Sequence, residues 1–339
     1  MDVPKTAIPV ILGSMTLGKT NKAHVRIDTI GGTNEMLDVF QKHKHTEIDT
    51  ARTYGAGSTE EYLANAKWQD RGLLIDTKLY PTKRGDLTWI TSEQWTHEPW
   101  DVRAGLMTSL KALQAESVEM FYLHAPDREV PIEKTLAEVD ALHREGYFRR
   151  FGISNFQSWE VSKICEICER HGYIKPSVYQ GMYNAFQRSV EAELVPCLRH
   201  YKIGLYAFQP LAAGFLTSRY QRNQNTEDYE VGSRFDPRES RNLFYHRRYL
   251  NSRYFDAIEL LRPLAKKHGL TEAECGLRWM AHHSVMKREL KDGVIIGASS
   301  SSQLEQNLLD LEKGPLPDEI VEALDAGWKG IAGTYAYWH

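Results

Sequence analysis

Short apolar runs rich in β-branched residues alternate with amphipathic stretches of helical length along nearly the whole chain. The runs read as strands at Ile8–Leu12, Thr46–Ile48, Leu73–Thr77, Val118–Leu123, Arg149–Ser154, Ser177–Gln180, Gly204–Ala207 and Val294–Ile296. Helices are predicted between them at Gly32–His43, Ser58–Lys67, Val102–Gln114, Ile132–Glu145, from Trp159 to Gly172, and Ser189–Tyr201. Two more, Arg253–His268 and Thr271–His282, precede the last strand, and Gln303–Leu311 and Asp318–Trp328 follow it. Parallel neighbours need a crossover between them, usually a helix. Eight strand–helix units therefore predict the α/β class, as a single closed (β/α)8 (TIM) barrel with long loops at its C-terminal face. An open doubly wound sheet would carry a glycine fingerprint after its first strand. The nearest lookalike, Gly55-Ala-Gly57-Ser-Thr-Glu60, lacks the third glycine and follows the second strand.

Local signals sharpen this outline. Ser58 with Glu61 three residues later predicts a capping box, and Pro131 opens the helix that follows it. The segment from Pro210 to Asn251 holds no clear strand and is rich in Arg, Asn and Gln, which predicts a functional or a disordered connection. No internal repeat or linker is visible, so one domain over residues 1–339 is expected. A formal net charge of −3 offers no attraction to nucleic acid or anionic lipid. The N-terminus lacks an apolar signal core, and no run is long enough to span a bilayer. Four cysteines in 339 residues are not a disulfide framework, and the expectation is a cytoplasmic protein. Cys165 and Cys168 form a C-x-x-C at helical spacing among apolar residues, which reads as core rather than a redox or zinc site.

A barrel of this kind gathers its strand ends on one face, so polar residues there can meet. Asp49 and Tyr54 follow the second apolar run, Lys78 the third and His124 the fourth. A tyrosine has a pKa near 10, and an ammonium such as that of Lys78 lowers it. Asp49 can hold Lys78 through a charge-assisted hydrogen bond, and His124 can polarise a carbonyl oxygen. The set suits general acid catalysis at a carbonyl, with hydride supplied by a cofactor. Each residue alone has a bland reading as packing or solvated charge; the four together at successive strand ends do not.

These residues sit in longer blocks. Glu47-Ile-Asp49-Thr-Ala-Arg-Thr-Tyr54-Gly, Asp76-Thr-Lys78 and Tyr122-Leu-His124-Ala-Pro-Asp resemble the catalytic blocks of the aldo-keto reductases. The likeness continues, in order, through Gly152-Ile-Ser-Asn155, Tyr179-Gln180, Ala207-Phe-Gln-Pro-Leu and Gly297 to Asn307. Val178-Tyr-Gln-Gly-Met-Tyr-Asn-Ala, Glu193–His200 and the Arg-rich loop are most similar to the aflatoxin-aldehyde reductase branch. The resemblance implies a barrel that binds NADPH in extended form and reduces aldehydes, dialdehydes or semialdehydes. By matching position, Tyr54 would be the proton donor, Lys78 and Asp49 its partners, and His124 the substrate-orienting residue.

The resemblance further implies cofactor contacts. Ser154, Asn155 and Gln180 would hold the nicotinamide carboxamide, with Phe208 stacked on the ring and Met15 nearby. Gln209, Pro210, Leu211, Gly214 and Arg219 would serve the phosphates, though Ala213 stands where the family usually has glycine. Ser299 and its serine run would take the 2′-phosphate at a helix N-terminus. Gln303, Gln306 and Asn307 would face the adenine, and Arg234 matches a position near the cofactor. Asn155 has a second reading as the cap of the helix after it, and Phe208 as core. Tyr245 and Arg248 would meet an acidic group of the substrate, and the aromatic tail Thr334–His339 would close the pocket. Relatives in the branch commonly form homodimers. Two other functions fit the same residues: a slow NADP(H)-sensing partner of another protein, and an NAD(P)-linked alcohol or sugar dehydrogenase. The part of the long loop from Gln221 to Asn251 is expected to order when NADPH binds.

Overall fold

A computed structural model describes residues 4–84, 90–239 and 242–338. Eight strands are present: β1 (Val10–Gly13), β2 (Glu47–Asp49), β3 (Leu74–Leu79), β4 (Val118–Leu123), β5 (Phe148–Ser154), β6 (Val178–Met182), β7 (Gly204–Phe208) and β8 (Gly293–Ile296). They close a barrel in chain order. Every neighbouring pair is parallel, and β1 meets β8 through Val10 opposite Val294. Each predicted strand is therefore found, with its ends moved by no more than two residues. The shifts matter at the C-terminal end: Asp49, Lys78 and Phe208 lie within the strands rather than after them.

The helices of the described residues are α1 (Ile30–Lys42), α2 (Ser58–Asn65), α3 (Pro99–Leu113), α4 (Ile132–Arg144), α5 (Ser158–His171), α6 (Leu194–His200), α7 (Leu243–Tyr249), α8 (Ser252–Lys267), α9 (Glu272–His282), α10 (Ser301–Leu311) and α11 (Asp318–Ile331). The period-two side-chain alternation of strands divides the core in two. One set, including Leu12, Ile48, Phe121 and Phe151, packs outward against helix residues such as Phe40, Leu106 and Val139. The other fills the barrel with Ile11, Met120, Tyr122, Val178, Tyr206 and Ile295. Tyr122 lies against β5 where Gly152 faces it, and a Cβ at Gly152 would meet the ring at 2.3 Å. The interior is a packed plug, which confines any open space to the loop face.

Three local expectations are corrected. Ser58 is not an N-cap: Gly57, left-handed at φ 89°, holds that place, and Ser58 is already helical. The Ser58 hydroxyl instead donates to the Gly55 carbonyl at 2.6 Å, while Glu61 pairs with Lys19. Asn155 does not cap α5; Gln157 does, in a capping box with Glu160. The helix predicted at Ser189–Tyr201 is a 3₁₀ turn at Ser189–Glu191 followed by α6. Pro196 lacks an N–H and falls in the first turn of α6, where none is needed. The loop from Pro210 to Asn251 gains an unpredicted α-helix, α7, which carries both Tyr245 and Arg248.

Cys165 and Cys168 are buried inside α5, and burial pushes both thiols up to about 12, away from redox reactivity. No helix among the described residues is long and apolar enough to cross a membrane.

His45, just before β2, is buried with its ring stacked on Phe40 at 5.4 Å. Burial, with His43 next to it, lowers its pKa to about 4 from 6.5. The unfolded chain therefore takes up this proton first as pH falls. The stability His45 gives as a neutral ring is complete above pH 6.5 and drains away down to about pH 4. At pH 5 the loss from this group should be about 2 kcal/mol. Urea unfolding of wild type and His45→Gln at pH 7 and pH 5 should show a smaller pH effect in the variant.

Candidate active site

Tyr54 opens a 3₁₀ turn, Tyr54–Gly57, between β2 and α2. This short link brings its hydroxyl to the end of β3, where Lys78 is 1% exposed. The Lys78 ammonium lies 2.8 Å from both Asp49 carboxylate oxygens, 2.8 Å from the Thr50 carbonyl and 3.1 Å from the Tyr54 hydroxyl. An ammonium has three N–H donors, and Asp49, Thr50 and Tyr54 take all three. The Tyr54 oxygen is thus an acceptor toward Lys78, which leaves its own hydrogen for a ligand. Gln180 completes the shell by donating to Asp49 at 2.7 Å. The His124 ring stands edge-on to Tyr54, with centroids 6.0 Å apart, and edge-on to Tyr80 at 5.3 Å.

Burial alone would discharge Lys78, but Asp49 and then Tyr54 outweigh it and hold its pKa above the ordinary lysine value. Tyr54 departs from the simple sequence argument. Lys78 does pull its pKa down, but burial pushes harder in the other direction, with Asp49 adding to it, and the net shift is upward. Tyr54 is therefore a firmly protonated phenol.

A cavity of about 670 Å³ opens above these groups. Of the residues singled out in the sequence, all line it except Lys78, which lies behind Tyr54, and Ser154, which is fully buried. Asn155 sits in a left-handed conformation and donates to the His124 carbonyl at 2.9 Å and to Ser154 Oγ at 3.0 Å. Gln209 accepts from the Tyr249 hydroxyl at 2.7 Å, and Phe208, Pro210, Leu211 and Gly214 continue the wall. Ala213 adopts φ 60°, the region glycine favours, which accounts for the family's usual residue there. At the far end, Ser299 N–H and Oγ donate to Gln303, Ser300 caps α10, and Gln306 donates to Asp310. The serine run is thus a fixed helix start. Asn307 and Met15 line the same cavity.

The charges are arranged unevenly. Arg219 pairs with Glu230 at 3.0 Å, and Arg26 pairs with the same carboxylate, so Glu230 clasps residues on two sides of the cavity. Neither Arg26 nor Glu230 stood out in the sequence. Arg234 lies over the Tyr245 ring, and Arg248 between the rings of Phe244 and Tyr335, at 5.0 and 4.9 Å. Among the described residues, neither Arg234 nor Arg248 has a carboxylate partner. Arg248 is 9% exposed, its Nε is buried without a hydrogen bond, and its nearest acceptors are Met182 Sδ at 3.2 Å and the Ala336 carbonyl at 3.5 Å. Tyr337 and Trp338 from the tail close this end. Met182, Tyr80, Phe244 and His24 also line the cavity and were not singled out, because hydrophobic and aromatic residues carry no sequence signature of a pocket.

A Tyr-Lys-Asp set with a histidine, at the C-terminal mouth of a parallel barrel, is an arrangement able to hand a proton to a bound carbonyl. Comparison with known proteins agrees: residues 9–329 match the Aldo/keto reductase family, and the chain belongs to it. It is 45% identical to the aldo-keto reductase pigE of Monascus ruber over 336 residues, covering 98% of each chain. It is 50% identical to an aldo-keto reductase of Pseudocercospora fijiensis over 87% of this chain and 97% of that one. Human aflatoxin B1 aldehyde reductase member 2 is 39% identical over 97% of this chain and 89% of its own. The protein is an oxidoreductase of small carbonyl substrates, from a family that generally uses NAD(P)H.

Lys78→Met would leave the Asp49 carboxylate buried without its cation. The expected loss is about 3–5 kcal/mol of unfolding free energy. Lys78→Met/Asp49→Asn should recover much of it, as measured by urea unfolding.

Proposed function

We propose that this protein reduces aldehydes to alcohols with NADPH, and that Tyr54 gives its phenolic proton to the carbonyl oxygen. The observation that carries this reading is the Lys78 ammonium set against Asp49 and Tyr54 at the floor of the cavity. NADPH when bound supplies the hydride. As negative charge gathers on the substrate oxygen, Tyr54 donates its free hydrogen, and Lys78 stabilises the phenolate left behind. Asp49 keeps Lys78 charged and in place, and the His124 side of the cavity polarises the carbonyl. The packed barrel interior below excludes water from this step.

The cavity suits an extended dinucleotide. Asn155, Gln180 and Phe208 would bind the nicotinamide end, although the Gln180 amide is already committed to Asp49. Arg234 supplies a cation with no carboxylate partner among the described residues, and Ser299 with Gln303, Gln306 and Asn307 offers polar groups at the adenine end. Arg219 would have to share its charge with Glu230. Arg219 and Arg234 line the same cavity as Ser299, which favours the phosphorylated cofactor. Arg248, buried and without a carboxylate partner among the described residues, favours a substrate with a carboxylate or second carbonyl oxygen. Relatives named as aflatoxin B1 aldehyde reductases support an aldehyde. Strands from residue 10 to residue 296 close one barrel, so we read the chain as one domain.

The test is NADPH consumption with an acidic semialdehyde and a neutral aromatic aldehyde, repeated with NADH. Tyr54→Phe should bind NADPH normally and lose about 10²- to 10⁴-fold in turnover; wild-type turnover in this variant would overturn the reading. A proton donor must hold its proton, and the Tyr54 pKa lies above the ordinary 10.0. Wild-type kcat should therefore stay level from neutral pH upward and fall only beyond pH 10.0. Arg248→Met should raise KM for the acidic aldehyde roughly ten- to hundred-fold and leave the neutral one little changed. Tight NADPH binding without turnover would instead favour a sensing role.

A further inference from the structure

We infer that Arg52 is a positioning residue for Tyr54: its guanidinium, held among Glu60, Glu93 and the Gly57 carbonyl, fixes the Tyr54 turn against the strand that carries Lys78. This deepens the reductase reading and rests on it. Arg52 lies two residues before Tyr54 and is 7% exposed. Its Nη1 donates to Glu60 at 2.5 Å and to the Gly57 carbonyl at 3.4 Å, and its Nε donates to Glu93 at 3.0 Å. Glu60, fully buried in the first turn of α2, accepts with its other oxygen from the Thr77 hydroxyl at 2.7 Å. Thr77 is the neighbour of Lys78 in β3. The chain from β2 is therefore joined to β3 twice, once by Asp49, Lys78 and Tyr54, and once by Arg52, Glu60 and Thr77.

The second bracket has a task because the turn does not hold itself. Gly55, Ala56 and Gly57 have φ of 54°, 53° and 89°, and an alanine in the left-handed region is disfavoured. Arg52 packs against the outside of this turn so closely that a Cβ on Gly57 would lie 1.8 Å from its Nη2. Glu93 comes from the segment between β3 and α3, whose Ile90 lines the cavity, so the same guanidinium also anchors a cavity wall. Three acceptors approaching from different sides suit the planar fork of arginine and exceed what the single nitrogen of lysine can reach. The Tyr54–Lys78 separation of 3.1 Å is the quantity this bracket controls. A turn that drifts away from Lys78 loses the one influence that pulls the Tyr54 pKa down.

Arg52→Lys keeps a cation beside Glu60 but not the fork. The expected result is an unchanged unfolding transition, unchanged NADPH affinity and unchanged KM. kcat should fall about ten- to hundred-fold, as for a small misplacement of a reacting group. The Tyr54 titration, read as tyrosinate absorbance of each protein minus its Tyr54→Phe counterpart, should move to higher pH. If Arg52→Lys does not fold, the neutral pair Arg52→Gln/Glu60→Gln takes its place with the same readouts. A folded variant with wild-type kcat and wild-type Tyr54 titration overturns the inference. Failure of both variants to unfold cooperatively overturns it too, because Arg52 would then serve folding alone. Absence of aldehyde turnover in the wild type would defeat the reductase reading, and the Tyr54 titration would still decide the role of Arg52.

Discussion

A lysine ammonium buried at a strand end is the constraint around which the loop face is built. Taking it out of water costs several kcal/mol, and only a close, fully bonded anion offsets that. Asp49 provides the anion from the neighbouring strand, at the register position beside Asp76, and Gln180 from across the barrel satisfies the carboxylate. These contacts demand that β2, β3 and β6 hold fixed register at their C-terminal ends. The pair is therefore a geometric requirement on the barrel as much as a chemical device within it.

The barrel interior below answers that requirement with bulk. Tyr122 and Tyr206 fill its middle, and Gly152 is small because the Tyr122 ring occupies its side-chain space. The acid groups inside are managed by proximity. Burial and the negative Glu47 and Asp49 push the Asp76 carboxyl well above the usual range, so it resists becoming a further buried anion. Glu47, nearer the opposite end, accepts from the Tyr206 hydroxyl at 3.0 Å and faces Arg150. Lys78 thus answers chiefly to Asp49.

The architecture was legible because strand and helix periods alternate cleanly, and the Tyr-Lys-Asp-His set was legible because each member follows or ends an apolar run. What escaped has physical causes. Ser58 and Glu61 have the spacing of a capping box, but the left-handed Gly57 moves the helix start and leaves Ser58 inside it. The Arg26–Glu230 pair joins residues 204 positions apart, and nothing local marks either one. The helix Leu243–Tyr249 is too short and too rich in aromatic and basic residues to show an amphipathic pattern. Arg52 stands between Asp49 and Tyr54 in the sequence, yet its role depends on three acceptors that only the fold assembles.

The two ends of the cavity come from different parts of the chain. The Tyr54–Lys78–Asp49 group is fixed to barrel strands and the short turn between them, whereas Arg248 is framed by α7 and by Tyr335 of the C-terminal tail. Neither α7 nor the tail contributes a strand to the barrel. Inheritance can therefore treat them separately: residues 243–249 and 335–338 are free to diverge among descendants of one ancestor, changing which molecules are accepted, while the barrel passes the same proton-handling machinery from one to the next.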